Sequence, residues 1–121
     1  MKIAVTSTGK TLDSQVDLRF GRTAFFAVYD ETAEQWDFLT NQQNLQASQG
    51  AGIQAAQTVI DAEVDVLLAS NVGPKAMAAL NVNGIHVFGT EAGTSLEQAV
   101  SSYKSGSLKQ MQESNVKGHW V

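Results

Sequence analysis

Two arginines stand close together in an acidic chain. Arg19 and Arg22 flank a Phe-Gly pair in the stretch VDLRFGRTAFF, directly before an apolar run. A guanidinium group carries several N–H donors in a fixed planar arrangement that suits anions. Because the formal net charge is −4, an anionic partner would have to be held by such local groups. The residues alone leave an alternative open, in which Arg19 pairs with Asp13 or Asp17 and Arg22 covers an apolar edge.

Three stretches rich in small residues, SQGAGIQ, SNVGPKA and GTEAGTS, stand where a loop is predicted to lead into a helix. The first turn of a helix leaves backbone N–H groups unpaired at the positive end of the helix dipole, and glycine lets a ligand approach them. Loops that follow parallel strands meet at one edge of the sheet, where ligands bind. The loop that carries Arg19 and Arg22, called the arginine loop below, also follows a strand. These features predict an anion-binding crevice. The predicted binding residues are Arg19, Gly21, Arg22, Gly50, Ala51, Gly52, Ser70, Asn71, Val72, Gly73, Lys75, Gly89, Thr90, Gly93, Thr94 and Ser95.

Other chemistries find little support in the sequence. The chain has no Cys, which excludes disulfides, thiolate nucleophiles and thiolate metal ligands. The segment STGKT lacks the earlier glycine of a P-loop, because Ala4 stands there, and no helical periodicity follows it. The first strand offers no carboxylates for a Mg²⁺-dependent nuclease. His86 is predicted to be half-buried and hydrogen-bonded, with an anion contact near the strand end as the alternative. We therefore expect no catalytic site and no enzymatic activity.

The strands and helices that must position these residues follow from the hydrophobic pattern. KIAVTS predicts a buried strand, and TAFFAVYD with AEQWDFLTN predicts an antiparallel hairpin. The polar segment Asn41–Gly52 reads as a surface loop, either a linker or a lid. The second half alternates helix, strand, helix, strand and helix, which favours parallel pairing. The predicted fold is a mixed five-stranded α/β sheet with an N-terminal antiparallel hairpin and flanking helices.

Three details of the helices are predicted from the same pattern. An apolar stripe begins at Ile53 in the first helix. Pro74 suits the first position of the second helix. Thr94 and Glu97 have the spacing of a capping box at the start of the third helix.

Length and composition favour one domain. The 121 residues are 43% hydrophobic, enough for one core, and we assign residues 1–109 to a single α/β domain and residues 110–121 to a C-terminal tail. The acidic balance argues against nucleic acid and anionic membranes as partners. No apolar run approaches the length of a spanning helix and no secretion signal is visible, so the expected compartment is the cytoplasm.

Three motifs together resemble the dinitrogenase iron–molybdenum cofactor biosynthesis family. They are DLRFGR (Asp17–Arg22), GAGIQAAQ (Gly50–Gln57) and NVGPKA (Asn71–Ala76), and the likeness spans Met1 to about Lys109. The resemblance implies a ribonuclease-H-like fold without nuclease activity and a role in binding, carrying or assembling a metal–sulfur cofactor. Leu18 stands where the family often has proline, which predicts a more mobile loop.

Within this family, the chain is most similar to the branch of small single-domain members. That branch includes what looks like a carrier of a mixed molybdenum–copper sulfide cluster. This resemblance implies a non-covalently bound anionic cluster, whose metals are saturated by its own sulfides and need no protein thiolate. The leading hypothesis is a binding or carrier protein for such a cluster, of the molybdenum–copper or iron–molybdenum type. A nucleotide- or phosphate-binding regulatory module is the alternative from another class. The family likeness also allows a metal-free domain that docks onto an ATPase of a cluster-assembly or cell-division complex.

Overall fold

The computed structural model describes residues 1–41 and 50–111. Three helices flank one sheet in the described part of the chain. The strands are β1 (Lys2–Ser7), β2 (Phe25–Asp30), β3 (Gln35–Thr40), β4 (Val66–Ala69), β5 (His86–Gly89) and β6 (Gln110–Met111). The helices are α1 (Ala51–Asp61), α2 (Pro74–Val82) and α3 (Leu96–Lys104). Of the predicted loop Asn41–Gly52, residues 42–49 lie outside the described residues, so the choice between linker and lid stays a prediction.

The strand order is β3-β2-β1-β4-β5-β6. Strands β1, β4 and β5 run parallel, whereas β2, β3 and β6 pair antiparallel to their neighbours. The mixed α/β class and the β2–β3 hairpin are therefore confirmed, and the ribonuclease-H-like topology stays a prediction. The predicted count of five strands is wrong, because the first two residues of the predicted tail, Gln110 and Met111, pair with Phe88 and Val87. A strand of two residues is too short to show an alternating pattern. The rest of the tail lies outside the described residues.

Apolar side chains are buried on both faces of the sheet. Helices α1 and α2 cover one face, where Phe20, Phe26 and Leu67 lie in the core. Helix α3 covers the other face, where Ile3 and Leu68 are buried. All four residues of β4 are buried, as its continuous apolar run predicted. Among the described helices, none has the length and apolar character needed to cross a membrane.

Helix α1 turns small residues toward the core. Ala51, Ala55, Ala56 and Val59 are buried, whereas Ile53 is 47% exposed. The stripe predicted to begin at Ile53 is therefore wrong at its first position. Small side chains allow α1 to lie close to α2, and this close approach decides which face is buried.

The N-terminus of α3 is capped one residue later than predicted. The Ser95 hydroxyl accepts from the backbone N–H of Gln98 (3.2 Å), and the Gln98 side-chain oxygen accepts from the backbone N–H of Ser95 (3.0 Å). The capping box of Thr94 and Glu97 is therefore wrong. Both pairs have the required spacing and residue types, so the sequence pattern alone does not separate them.

Replacing Ser95 by alanine is expected to lower the free energy of unfolding by about 1 kcal/mol, because the first turn of α3 loses its side-chain acceptor. Urea denaturation followed by circular dichroism measures the change. Thr94→Ala is the matched control and should change stability by no more than about 0.5 kcal/mol. Equal losses for the two variants would contradict the cap at Ser95.

Candidate functional site

The loops that carry the predicted binding residues meet at one edge of the sheet. Parallel strands β1, β4 and β5 end at this edge, and β3 ends there too, since Thr40 pairs with the first residue of β2. Asn71 Nδ2 donates to the Leu18 carbonyl at 2.6 Å. Ser70 Oγ donates to the Thr90 carbonyl at 2.5 Å. Hydrogen bonds therefore join the β4–α2 loop to both the arginine loop and the β5–α3 loop.

The arginine loop also touches the first turn of α1, through backbone alone. A Cβ atom built on Gly21 would lie 2.9 Å from the Gly52 nitrogen, a distance at which no side chain fits. A Cβ atom built on Gly52 would in turn lie 3.6 Å from the Ala76 Cβ in α2. The two glycines thus bring the loop, the start of α1 and the start of α2 into one cluster, as the sequence predicted for these three segments.

Arg19 is paired with Asp17. The carboxylate accepts from Arg19 Nε at 3.2 Å, from Nη2 at 3.3 Å and from the Arg19 backbone N–H at 3.0 Å. The Asp17 side chain is only 5% exposed, while the Arg19 side chain is 66% exposed. The pairing alternative is thus confirmed for Arg19 with Asp17. The carboxylate holds Nε and Nη2 of the guanidinium, while most of the Arg19 side chain is exposed.

The same carboxylate raises the pKa of Arg19, first through the side-chain hydrogen bond and then through its charge. A raised pKa in the folded state means that the pair stabilises the fold below the unfolded-state pKa. This stabilisation is lost only when the pH rises through the folded-state pKa. The Arg19 charge is therefore constant across the neutral range.

Exposed apolar side chains lie on the arginine loop and on the first turn of α1. Leu18 is 38% exposed and Ile53 is 47% exposed, and they stand on the two segments that meet at the Gly21–Gly52 contact. The Leu18 carbonyl is held by Asn71, so this point of the loop is fixed even without proline at position 18. The edge therefore presents apolar surface next to positive charge.

Two of the three helix starts leave their backbone donors open. Helices α1 and α2 begin after Gly50 and Gly73 without a side-chain cap and without an acidic residue in the first turn. Within the described residues, the N–H groups of Gly52 and Ile53 donate no hydrogen bond, and Lys75 in the first turn of α2 forms no ion pair. The positive ends of two adjacent helix dipoles thus lie beside the arginine loop.

The third helix start differs from this prediction. Its donors are used by the Ser95–Gln98 box and by the bond from the Leu96 N–H to the Ser14 carbonyl. Glu97 also lies in its first turn. The expectation of open N–H groups is therefore wrong at α3, because the sequence pattern for a small-residue junction does not show which side chains cap it.

The β5–α3 loop instead borders a separate cavity of about 490 Å³ on the α3 face. Of the predicted residues, Gly89, Thr90 and Thr94 line it. The remaining lining comes from the same loop, from α3 and from the segment that leads into β6, namely Glu91, Ala99, Ser102, Ser107, Leu108 and Lys109. The predicted binding residues are thus divided between two places, the cluster formed by the arginine loop with the starts of α1 and α2, and this cavity.

His86 lies away from both places. It is the first residue of β5, so it stands at the opposite edge of the sheet, and it is exposed. Its Nδ1 lies 3.1 Å from Gln110 Nε2, so the predicted hydrogen bond is confirmed. The predicted half-burial is wrong, since the ring is exposed. The alternative of an anion contact at the ligand-binding edge gains no support, because the first residue of β5 lies at the other edge of the sheet. Within residues 1–41 and 50–111, no three His, Asp or Glu side chains form a metal-binding group.

Asn41 is a site residue that sequence reasoning missed. It is fully buried, and its Nδ2 donates to the carbonyls of Gly21 (3.0 Å) and Thr23 (2.9 Å). The sequence places Asn41 at the head of a polar segment, where a solvated side chain is expected. The available signal was its position directly after a strand, at the predicted ligand-binding edge.

The chain matches a sequence model of the family described as "Dinitrogenase iron-molybdenum cofactor" over residues 1–106. Among curated proteins, none matches. The apo form of the orange protein from Desulfovibrio gigas is 39% identical, with a TM-score of 0.91 over 95% of this chain and 96% of that one. A putative NifB protein from Thermotoga is 29% identical, with a TM-score of 0.83 over 97% and 98% of the two chains. The similarity therefore extends over nearly the whole of each molecule.

Proposed function

Because the chain belongs to the dinitrogenase iron–molybdenum cofactor family, we propose that it is a non-enzymatic binding and carrier protein for an anionic metal–sulfur cluster. One observation carries this proposal. The uncapped starts of α1 and α2 lie side by side and next to a loop with two arginines. Backbone donors, dipole ends and guanidinium groups together favour an anion.

The donor set at this edge fits a cluster that brings its own sulfides. The chain has no Cys and two His, so it cannot ligate an iron–sulfur cluster through thiolates in the usual way. A molybdenum–copper sulfide cluster presents its sulfides outward as hydrogen-bond acceptors and as polarizable surface. N–H groups can donate to such sulfides, and exposed Leu18 and Ile53 supply apolar contact. We therefore propose a non-covalently held molybdenum–copper sulfide cluster as the cargo.

Each group would have a distinct part in holding the cluster. Arg19 is oriented by the buried Asp17 carboxylate, so it loses little side-chain entropy when it binds. Arg22 follows Gly21, which is pressed against α1. Lys75 is exposed in the first turn of α2 and would supply a movable charge. Among the predicted residues, Gly50–Gly52 and Asn71–Gly73 would contribute backbone contacts.

Titration of the protein with tetrathiomolybdate and Cu(I) tests the proposal. We expect a stoichiometric visible chromophore that stays with the protein on gel filtration, together with amide shifts at the arginine loop and the first turns of α1 and α2. If no chromophore forms and these amides do not move, the proposal is wrong.

The open starts of α1 and α2 would also suit phosphate, which favours a nucleotide- or phosphate-binding regulatory module as the second candidate. Calorimetry with ATP, GTP and NAD distinguishes the two. Tight binding of a nucleotide without any response to the metal salts would replace the cluster proposal. Docking onto an ATPase, a cytoplasmic location and the tail boundary at residue 110 stay predictions.

A further inference from the structure

Two asparagine amides hold the backbone on either side of the two arginines. Asn41 is fully buried and donates through Nδ2 to the carbonyls of Gly21 and Thr23, the residues on either side of Arg22. An amide nitrogen carries two hydrogens, so both are used here. From the end of β3, Asn41 thus fixes the carbonyl groups of the two residues that flank Arg22.

Asn71 makes the corresponding contact at the start of the loop. Its Nδ2 donates to the Leu18 carbonyl at 2.6 Å, immediately before Arg19. Its backbone has φ 51°, in the left-handed region where asparagine is among the better-tolerated residues. The side chain that sequence analysis assigned to cofactor binding is therefore already used within the protein.

Neutral amides suit this position better than carboxylates would. Aspartate has nearly the same shape as asparagine but donates no hydrogen bond when ionised, and its charge would oppose carbonyl oxygens and offset the arginines. In the described part of the chain, the Asp17 carboxylate accepts from Arg19. The amides fix the loop without reducing its positive charge.

We propose that the side chains of Asn41 and Asn71 form a clamp that positions Arg19 and Arg22 for the anion, so that both amides are positioning groups and neither touches the anion. The inference rests on the proposed function for the identity of the bound anion. The ordering of the loop by the two amides does not depend on it. Two observations carry the inference: three carbonyls, those of Leu18, Gly21 and Thr23, are held by amides from two different loops, and Asn41 is completely buried.

Asn71→Gly is the sharpest variant, because glycine accepts the positive φ and removes only the amide. Asn41→Ala removes the other half of the clamp. In each variant, hydrogen exchange of amides 18–23 should quicken in the ligand-free protein. Affinity for tetrathiomolybdate with Cu(I) should fall by about five-fold, the equivalent of one or two neutral hydrogen bonds. The salt dependence of binding should stay as in the wild type, because no charge is removed.

Asn83→Ala is the matched control, since it removes one amide bond, from Nδ2 to the Ala79 carbonyl at 2.8 Å, at the far end of α2. This control should change neither the hydrogen exchange of amides 18–23 nor the affinity for tetrathiomolybdate with Cu(I). Unchanged exchange at residues 18–23 in Asn71→Gly would overturn the clamp, and so would faster exchange with wild-type affinity in both variants. A wild type that binds no cluster would overturn the proposed function instead, and the exchange rates of the ligand-free variants would still decide whether the amides order the loop. Should Asn41→Ala fail to fold, Asn71→Gly alone decides.

Discussion

An alanine at position 21 is expected to lower the free energy of unfolding by about 1–3 kcal/mol, the usual cost of overpacking. Its Cβ would lie 2.9 Å from the Gly52 nitrogen, 3.1 Å from the Gly52 Cα and 3.2 Å from the Ala51 carbonyl carbon. These are backbone atoms, so relief requires the loop and the start of α1 to move apart. Urea denaturation followed by circular dichroism measures the loss. Because Arg22 is adjacent, binding of the cluster should weaken in the same variant.

Gly52→Ala is the matched control, because Gly52 lies across the same contact. Its Cβ would meet Ala76 at 3.6 Å, an ordinary van der Waals distance, and alanine is the better residue inside a helix by about 0.5–1 kcal/mol. We therefore expect this variant to be as stable as the wild type or more stable. Wild-type stability in Gly21→Ala would contradict the tight backbone contact between the loop and α1.

Much of the fold could be predicted because its elements have strong local signals. The apolar run of β4, the hairpin of β2 and β3, and Pro74 at the start of α2 each follow from periodicity or from the geometry of one residue. Features that depend on tertiary packing were predicted less well. The exposure of Ile53 follows from the close approach of α1 to α2. Strand β6 has only two residues and is defined by its pairing with β5.

The candidate site shows the same division. The edge of the sheet could be predicted, since parallel strands must end together, and contacts now join the arginine loop to the starts of α1 and α2. The choice of partners could not be predicted. Asp13 and Asp17 were equal candidates for Arg19, and only the structure shows that Asp17 is the buried one. The capping of α3 by Ser95 and the burial of Asn41 likewise depend on side-chain orientations that spacing leaves open.

Replacing both Arg19 and Arg22 by glutamine is expected to weaken binding of the molybdenum–copper sulfide cluster by about ten-fold or more. Hydrogen bonds from a charged donor contribute about 1.5–3 kcal/mol each. The glutamine side chains are neutral, so the variant lacks these charge-assisted bonds at the edge where α1 and α2 begin. Spectrophotometric titration with tetrathiomolybdate and Cu(I) measures the affinity. The difference between variant and wild type should shrink as salt is added, because screening weakens exposed charges.

The two single variants should differ in stability. Arg22→Gln is expected to change it little, whereas Arg19→Gln leaves the Asp17 carboxylate, 5% exposed, without its guanidinium partner. Because the Arg19 side chain is mostly exposed, the expected loss is only about 1 kcal/mol. A large loss of stability with unchanged cluster affinity would show that Arg19 serves only to satisfy Asp17.

The control for charge is Lys2→Gln with Lys104→Gln, which removes the same net charge at the opposite edge of the sheet. Lys2 is the first residue of β1, and Lys104 Nζ lies 3.7 Å from a carboxylate oxygen of Glu31, which follows the end of β2. If the arginines act through their placement, this variant should bind the cluster as the wild type does. Equal weakening by the lysine and arginine variants would mean that overall charge, and not the crevice, attracts the cluster. The comparison therefore separates a built anion site from a general electrostatic attraction.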